Sequence, residues 1–416
     1  MMWNGLKKFG LAHCDLPTML WNVSVTLRPS GVTIYRRNKR IPIVIYIITG
    51  LICTSYLFVY GVSNMWFVFW RCRETKDLKT ATIFLSIQLA SEIGPLRMLF
   101  MLYHKTNIIY IVEKYLEYDE SIESGRTGGT LLTHLRTIKK RALTSWVIIV
   151  GNCLSYLVKP LFLPGKRLVQ DDQVLLGLEP VFESPNYDLA YLLVSGGITF
   201  VAYTSSHTTA FFIILIGYTE SQLLSMCDSL TCLWDDAQRF CDTHRKRIGF
   251  NKVGYSNIED EDIKSKLMNQ FVKKRLNKII KHHTINKDLI KQIDVTFRGC
   301  LVVEYVLVAA ALLSELLGGL ENTYMELPFT LLMVSVNCFM GQKIINASES
   351  FCQAVYGCRW ENFDVDNMKT ILTILTNSQN YLALTMGGIK VLNFVYLGSI
   401  IQSIYSAFTT LNSVMK

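Results

Sequence analysis

The sequence predicts an all-α protein that crosses a bilayer seven times, and three observations carry that reading. Half of the 416 residues are hydrophobic and only 18% are charged, with a mean hydropathy of +0.27, whereas soluble domains carry about 25% charge. The apolar residues are gathered in blocks as long as the ~20 residues a spanning helix needs. Those blocks lack the alternation of barrel strands, and only helices or closed barrels satisfy the backbone in lipid. Disordered, collagen-like and disulfide-stapled classes are excluded at once.

The blocks justify the elements in order. Ile41 to Trp70 carries no charged residue. Thr80 to Tyr103 is apolar apart from Glu92 and Arg97, and Leu143 to Leu163 is broken only by Lys159. Leu189 to Thr219 again has no charge. Gly299 to Leu320 holds Glu304 and Glu315, Tyr324 to Asn346 holds Glu326 and Lys343, and Val391 to Met415 is uncharged. The resulting organisation is a cytosolic N-terminal segment over 1–40, spans one to four over 41–219, and a cytosolic helical extension over 220–294. Spans five and six follow over 295–346, then a cytosolic anchor helix over 347–387 and the last span over 388–416.

Lys and Arg between spans set the orientation. Segments 1–40 and 104–141 hold seven each, while 71–79 holds four, 164–187 two and 321–323 none. The N-terminus is therefore expected in the cytosol and the C-terminus outside, with Trp66 and Trp70 at the outer end of the first span. This is upside down for a G-protein-coupled receptor, which argues against a metabotropic seven-helix receptor. Met1 to Gly10 has no apolar core of a signal peptide, so the first span is expected to direct insertion.

Of the eleven cysteines, Cys72 alone falls in or beside an external loop, so no external disulfide is expected. Cys227, Cys232, Cys241 and His244 match no common zinc spacing, and no metal or cofactor is expected. Cys227 and Cys241 share a stripe with Leu223, Leu230, Trp234 and Ala237, which reads as a packed helix face. A second stripe runs from Leu267 and Phe271 to Ile293, and a third stretch covers Met368 to Leu384. These three cytosolic stripes pack on one another or form an assembly platform. The sequons Asn22-Val-Ser and Asn346-Ala-Ser lie on the expected cytosolic side and read as chance matches.

No phosphate loop, HExxH or GxSxG triad is present, so the chain is not expected to be an enzyme. Nor are the repeats of a transporter. Charged residues inside spans invite a functional reading. Glu92 and Arg97 are expected to pair with neighbouring spans, whereas Lys159 and Glu315 lie near outer ends and are expected to snorkel. The last span carries Ser399, Gln402, Ser406, Thr409 and Ser413 at steps of three and four, one polar face on an apolar helix. Such a face seeks either another helix's polar groups or, with several copies around an axis, the water of a pore.

The stretch from Gly341 to the end strongly resembles the C-terminal signature of insect odorant receptors. The landmarks are Ser348-Glu349-Ser350, Ala354-Val355-Tyr356, Trp360, Ser378-Gln379 and Ser406-Ala407-Phe408-Thr409-Thr410-Leu411. The related gustatory receptors, the nearest alternative, usually end in a Thr-Tyr…Gln-Phe type motif that is absent here.

The resemblance implies an odorant-gated, nonselective cation channel of the plasma membrane of olfactory-neuron dendrites. It would work as a heterotetramer of tuning subunits with the olfactory co-receptor, the last helix lining the pore. It places the volatile ligand in the outer half of the bundle, where Phe84, Gln88, Tyr156, Phe200, Tyr203, Thr204, Tyr324 and Phe329, with His207 just deeper, are the aromatic and polar candidates. Leu411, Val414 and Met415 are candidate gate residues at the outer end of the last helix. Trp234, Phe271, Trp360 and Leu375 are candidate subunit contacts.

Overall fold

A computed structural model describes residues 8–35, 42–121, 126–158, 162, 174–180, 183–248 and 257–415. Lys159 lies outside them, as do the side chains of His244, Val414 and Met415. Among the described residues, seven helices are long and apolar enough to cross a membrane.

The chain starts with a short helix, α1 (Leu16–Leu27), capped by Asp15, whose carboxylate accepts from the Thr18 amide at 3.0 Å. Within the N-terminal segment the sequence reading placed no helix. Leu16, Met19, Leu20, Val23 and Leu27 nevertheless repeat at helical spacing and are buried.

The first span, α2 (Ile43–Thr75), widens into π-helical turns over Leu57–Asn64 and Phe67–Arg71. Then come α3 (Leu78–Tyr103), the amphipathic α4 (Lys105–Glu120), α5 (Arg126–Val158) and α6 (Asn186–Thr231). Beyond α6 lies α7 (Leu233–Ile248), and α8 (Asn257–Gly318) runs 62 residues from outside the bundle into the fifth span. A single turn, α9 (Leu320–Thr323), leads to α10 (Leu327–Tyr356).

At one end of the bundle α4, the end of α6 and the first half of α8 pack together. There the Tyr218 hydroxyl donates to Asp119 at 2.9 Å, and burial pushes the Asp119 carboxyl pKa up. At the opposite end Lys79 at the start of α3 meets Glu321 of α9 at 3.3 Å. The stripe read from sequence is a packed face, with Leu223, Leu230, Ala237 and Cys241 buried.

One expected helix is shorter than the apolar pattern suggested. After α10, α11 (Val365–Ser378) stops well before Leu384. The chain then turns through a hairpin, β1 (Thr385–Met386) against β2 (Lys390–Val391), whose Gly387 and Gly388 adopt φ of +63° and +78°. Asp294 of α8 holds this turn by accepting from the Thr385 amide at 2.5 Å and its hydroxyl at 2.9 Å. Ser348 of α10, one of the signature residues, accepts from the Leu382 amide at 3.1 Å. Gly341 lets the chain pass, since a Cβ there would collide with the Leu392 carbonyl. The last helix, α12 (Phe394–Met415), follows.

Candidate ligand cavity and outward polar helix

The centre of the bundle is held by a buried ion pair. Arg97 of α3 reaches Glu304 of α8 through Nη2 at 2.5 Å and Nε at 2.8 Å. It also donates to Thr209 of α6 at 2.8 Å and Asn337 of α10 at 3.0 Å, and the Asn337 amide donates in turn to Glu304 at 2.9 Å. Four helices are thereby tied at one depth, and each of the three guanidinium nitrogens has an acceptor, as a charge in a low-dielectric interior requires. Nearer the α9 end, Glu92 accepts from the Tyr56 hydroxyl of α2 at 2.7 Å and from Gln88 at 2.8 Å, and Gln88 accepts from Asn64 at 3.2 Å. The expected pairing of Glu92 and Arg97 with neighbouring spans holds.

Glu315 corrects its expectation. It does not snorkel: it is 0% exposed, and the Thr330 hydroxyl lies 2.8 Å from its Oε1. Packing of α10 across the end of α8 covers it. Glu326, also buried, accepts from the Ser86 hydroxyl at 2.6 Å. Neither carboxyl faces a cation among the described residues.

Beside Glu326 is a cavity of about 80 Å³ lined from five helices, with Tyr60, Ser91, Asn152, Tyr156, Val201 and Phe329 among its walls. Its surface is mostly apolar with a few convergent polar groups, the chemistry of a small-molecule site. Of the ligand candidates taken from sequence, Tyr156 and Phe329 line it. Phe200 is buried one position before Val201, with its ring 5.0 Å from that of Tyr56, and Gln88 is committed to the polar chain just described.

The other candidates lie elsewhere. Phe84 packs on Phe67 at 4.5 Å in a small separate cluster, and Tyr324 is half exposed. Thr204 bonds back to the Phe200 carbonyl at 2.9 Å and faces Gly94, where a Cβ would come within 2.7 Å of the Ser205 amide. Tyr203 donates to the Thr26 carbonyl of α1, and His207 lines a different cavity. Sequence reasoning missed Tyr60, Ser91, Asn152 and Glu326. A carboxylate inside an apolar block was the available signal for Glu326.

The last helix has the opposite character. Only 6% of its most apolar stretch is buried, and it touches the chain through Tyr396, Leu397, Ile400 and Ile404. At 3.6 residues per turn, Gln402, Ser406, Thr409 and Ser413 lie on the face pointing away, with Ser399 at its edge beside the hollow between α12 and α8, and all five are exposed. The hydroxyls bond within their own helix: Ser399 to Tyr396, Ser406 to Gln402 and Thr409 to Ser406 carbonyls at 2.8, 2.9 and 2.9 Å, and Ser413 to Thr410 at 2.7 Å. Among the described residues they therefore glue α12 to no other element. Leu411 is exposed and falls on the stripe of Ile400 and Ile404 rather than on the polar face.

Among the subunit-contact candidates, Trp234 and Phe271 turn inward. Trp234 packs on Phe363 at 5.7 Å and Phe271 on Phe240 at 4.8 Å. Leu375 is half-buried, whereas Trp360 is exposed alongside Tyr356, Val365 and Leu372.

A buried bundle with a small, mostly apolar hollow and one outward polar helix is the architecture of a membrane receptor. The 7tm Odorant receptor family matches residues 74–405, and the chain belongs to that family. Its members are receptors rather than enzymes. Odorant receptor 30a of Drosophila melanogaster is 41% identical over 61 residues, which is 15% of this chain and 16% of that relative. The fold matches the insect olfactory receptor OR5 from Machilis hrabei, with a TM-score of 0.70, and the same receptor in complex with eugenol, with 0.68. In both, identity is 13%, and 96% of this chain and 98% of the other are covered.

Proposed function

We propose that this chain is the tuning subunit of an odorant-gated, nonselective cation channel, assembled as a heterotetramer with the olfactory co-receptor in the plasma membrane. The observation that carries the reading is the outward polar face of α12. A hydroxyl that donates to its own helix turns its lone pairs outward, and a ring of such oxygens suits water and cations. Lipid is a poor neighbour for that face, and the described residues offer its hydroxyls no partner outside their own helix.

The odorant is assigned to the cavity between Tyr156 and Phe329, where aromatic walls give contact area and Glu326, Asn152 and Ser91 supply hydrogen bonds. At about 80 Å³ it is smaller than the roughly 300 Å³ at which ligand pockets begin, so binding must push the walls apart. The end carrying α4, α7 and α11 is assigned to the cytosol, with assembly through exposed Trp360 and Leu372 backed by Trp234, Phe271 and Leu375.

The test is current from excised inside-out patches containing this chain and the co-receptor, without nucleotide or GTP. An odorant-evoked current whose reversal potential shifts with Gln402→Lys supports the reading. Dependence on GTP, or a reversal potential indifferent to that change, overturns it.

A further inference from the structure

A second cavity, of about 290 Å³, lies between α1, α5 and α6, close to the size at which small-molecule pockets begin. Its walls are largely apolar, with Met19, Val23, Leu143, Trp146 and Ile214 among them. Most polar groups around it are already used. Lys139 gives Nζ to the carbonyls of Lys8, Gly10 and His13 at 3.0, 2.7 and 2.5 Å. The Thr26 hydroxyl bonds to the Val23 carbonyl at 3.0 Å. His207 has Nδ1 2.7 Å from the Tyr203 carbonyl, and its Nε2 accepts from Trp146 at 3.4 Å.

Asn22 is the exception. It is 8% exposed, and its Nδ2 donates to the Lys8 carbonyl at 3.0 Å. That bond fixes the amide, because the flipped form would set two oxygens against each other. Its Oδ1 then has no partner among the described residues. A buried acceptor without a donor costs free energy until a donor arrives.

We propose that this cavity is a second ligand site, taking a small, mostly apolar molecule with one hydrogen-bond donor, an alcohol or a phenol, whose hydroxyl meets Asn22 Oδ1. A carboxylate brings no donor, and Lys139 is already committed. An ether of the same size leaves Oδ1 unmet. Access is from the bilayer: Trp146 is exposed, as are Val147 and Ile148 beside it on α5. Because Tyr203 of α6 donates to Thr26 of α1, the ligand acts on how α1 seats against the helix that also walls the first cavity.

The test is fluorescence quenching of the full chain in phosphatidylcholine vesicles by 4-bromophenol and by 4-bromoanisole, with the Trp146 share taken as the difference from Trp146→Phe. The phenol is expected to quench Trp146 saturably, and the anisole about tenfold more weakly, the ratio one hydrogen bond supplies. Filling the cavity with Ala142→Leu, or with Ala210→Leu should the first variant not fold, is expected to abolish the saturable part. Asn22→Leu is expected to erase the preference for the phenol. Linear quenching, equal for both probes and unchanged by either filled variant, would mean partition into lipid alone and would overturn the site. Repeating with cholesterol in the vesicles identifies the source: competition supports an alcohol of the membrane, and saturable binding without competition supports one from solution.

Discussion

Two helices of similar apolar character end up in opposite surroundings. In α6, 89% of the most apolar stretch is buried; in α12, 6%. Both carry Ser and Thr, yet in α6 these residues face close neighbours such as Gly94 and Arg97, whereas in α12 they point away from the chain. The difference teaches that α6 is the axle of the bundle, whereas α12 leaves a polar face without a partner among the described residues, the face that the proposed assembly would complete. Apolar composition cannot separate these fates, because lipid and protein interior reward the same residues.

The largest effect should come from the axle's ion pair. Arg97→Leu strands Glu304, and breaking such a pair costs about 3–5 kcal/mol; thermal unfolding of the purified chain should show it, while Ser406→Val on α12 should leave unfolding unchanged. Equal losses would erase the contrast between the helices.

Next is Gly94→Val, which forces α3 off α6 at a cost of about 1–3 kcal/mol for overpacking. The same change at Gly398 of α12, where nothing lies within 4 Å, should cost less than half as much in the same assay.

Smaller still are the assembly changes. Trp360→Ala and Leu372→Ala should reduce recovery of the complex with the co-receptor by size-exclusion chromatography, each by about 1–2 kcal/mol of interface energy, without altering unfolding of the lone chain. Smallest is Leu411→Ser, because Leu411 lies on the stripe of Ile400 and Ile404 and not on the polar face. Current without odorant should change by less than about threefold, under 1 kcal/mol of bias toward the open state. A larger rise would place the gate on this stripe and turn the pore-lining face away from Ser406.

The spans were legible because a block of twenty apolar residues has few other uses, and the C-terminal signature was legible because its residues brace a turn. Ser348 reaching the Leu382 amide shows what such a motif holds together. The short helix α1 escaped because its stripe of Leu16, Met19, Leu20, Val23 and Leu27 is only three turns long. Leu382 and Leu384 continued the apolar pattern of α11 but are buried after the helix ends, held by contacts remote in sequence. The cavity was legible by region and by Tyr156 and Phe329. Which face of α6 looked into it depended on α1, so Tyr203 and His207 pointed elsewhere.

The central claim, that the outward face of α12 lines an aqueous path, is tested most directly by cysteine accessibility. Gln402→Cys, Ser406→Cys and Ile404→Cys would each be exposed to a charged, membrane-impermeant methanethiosulfonate during odorant application, with the native cysteines as background. The account predicts block of current at 402 and 406 and protection at 404, which packs against the chain. Protection at 402 and 406, or modification of all three alike, would contradict it.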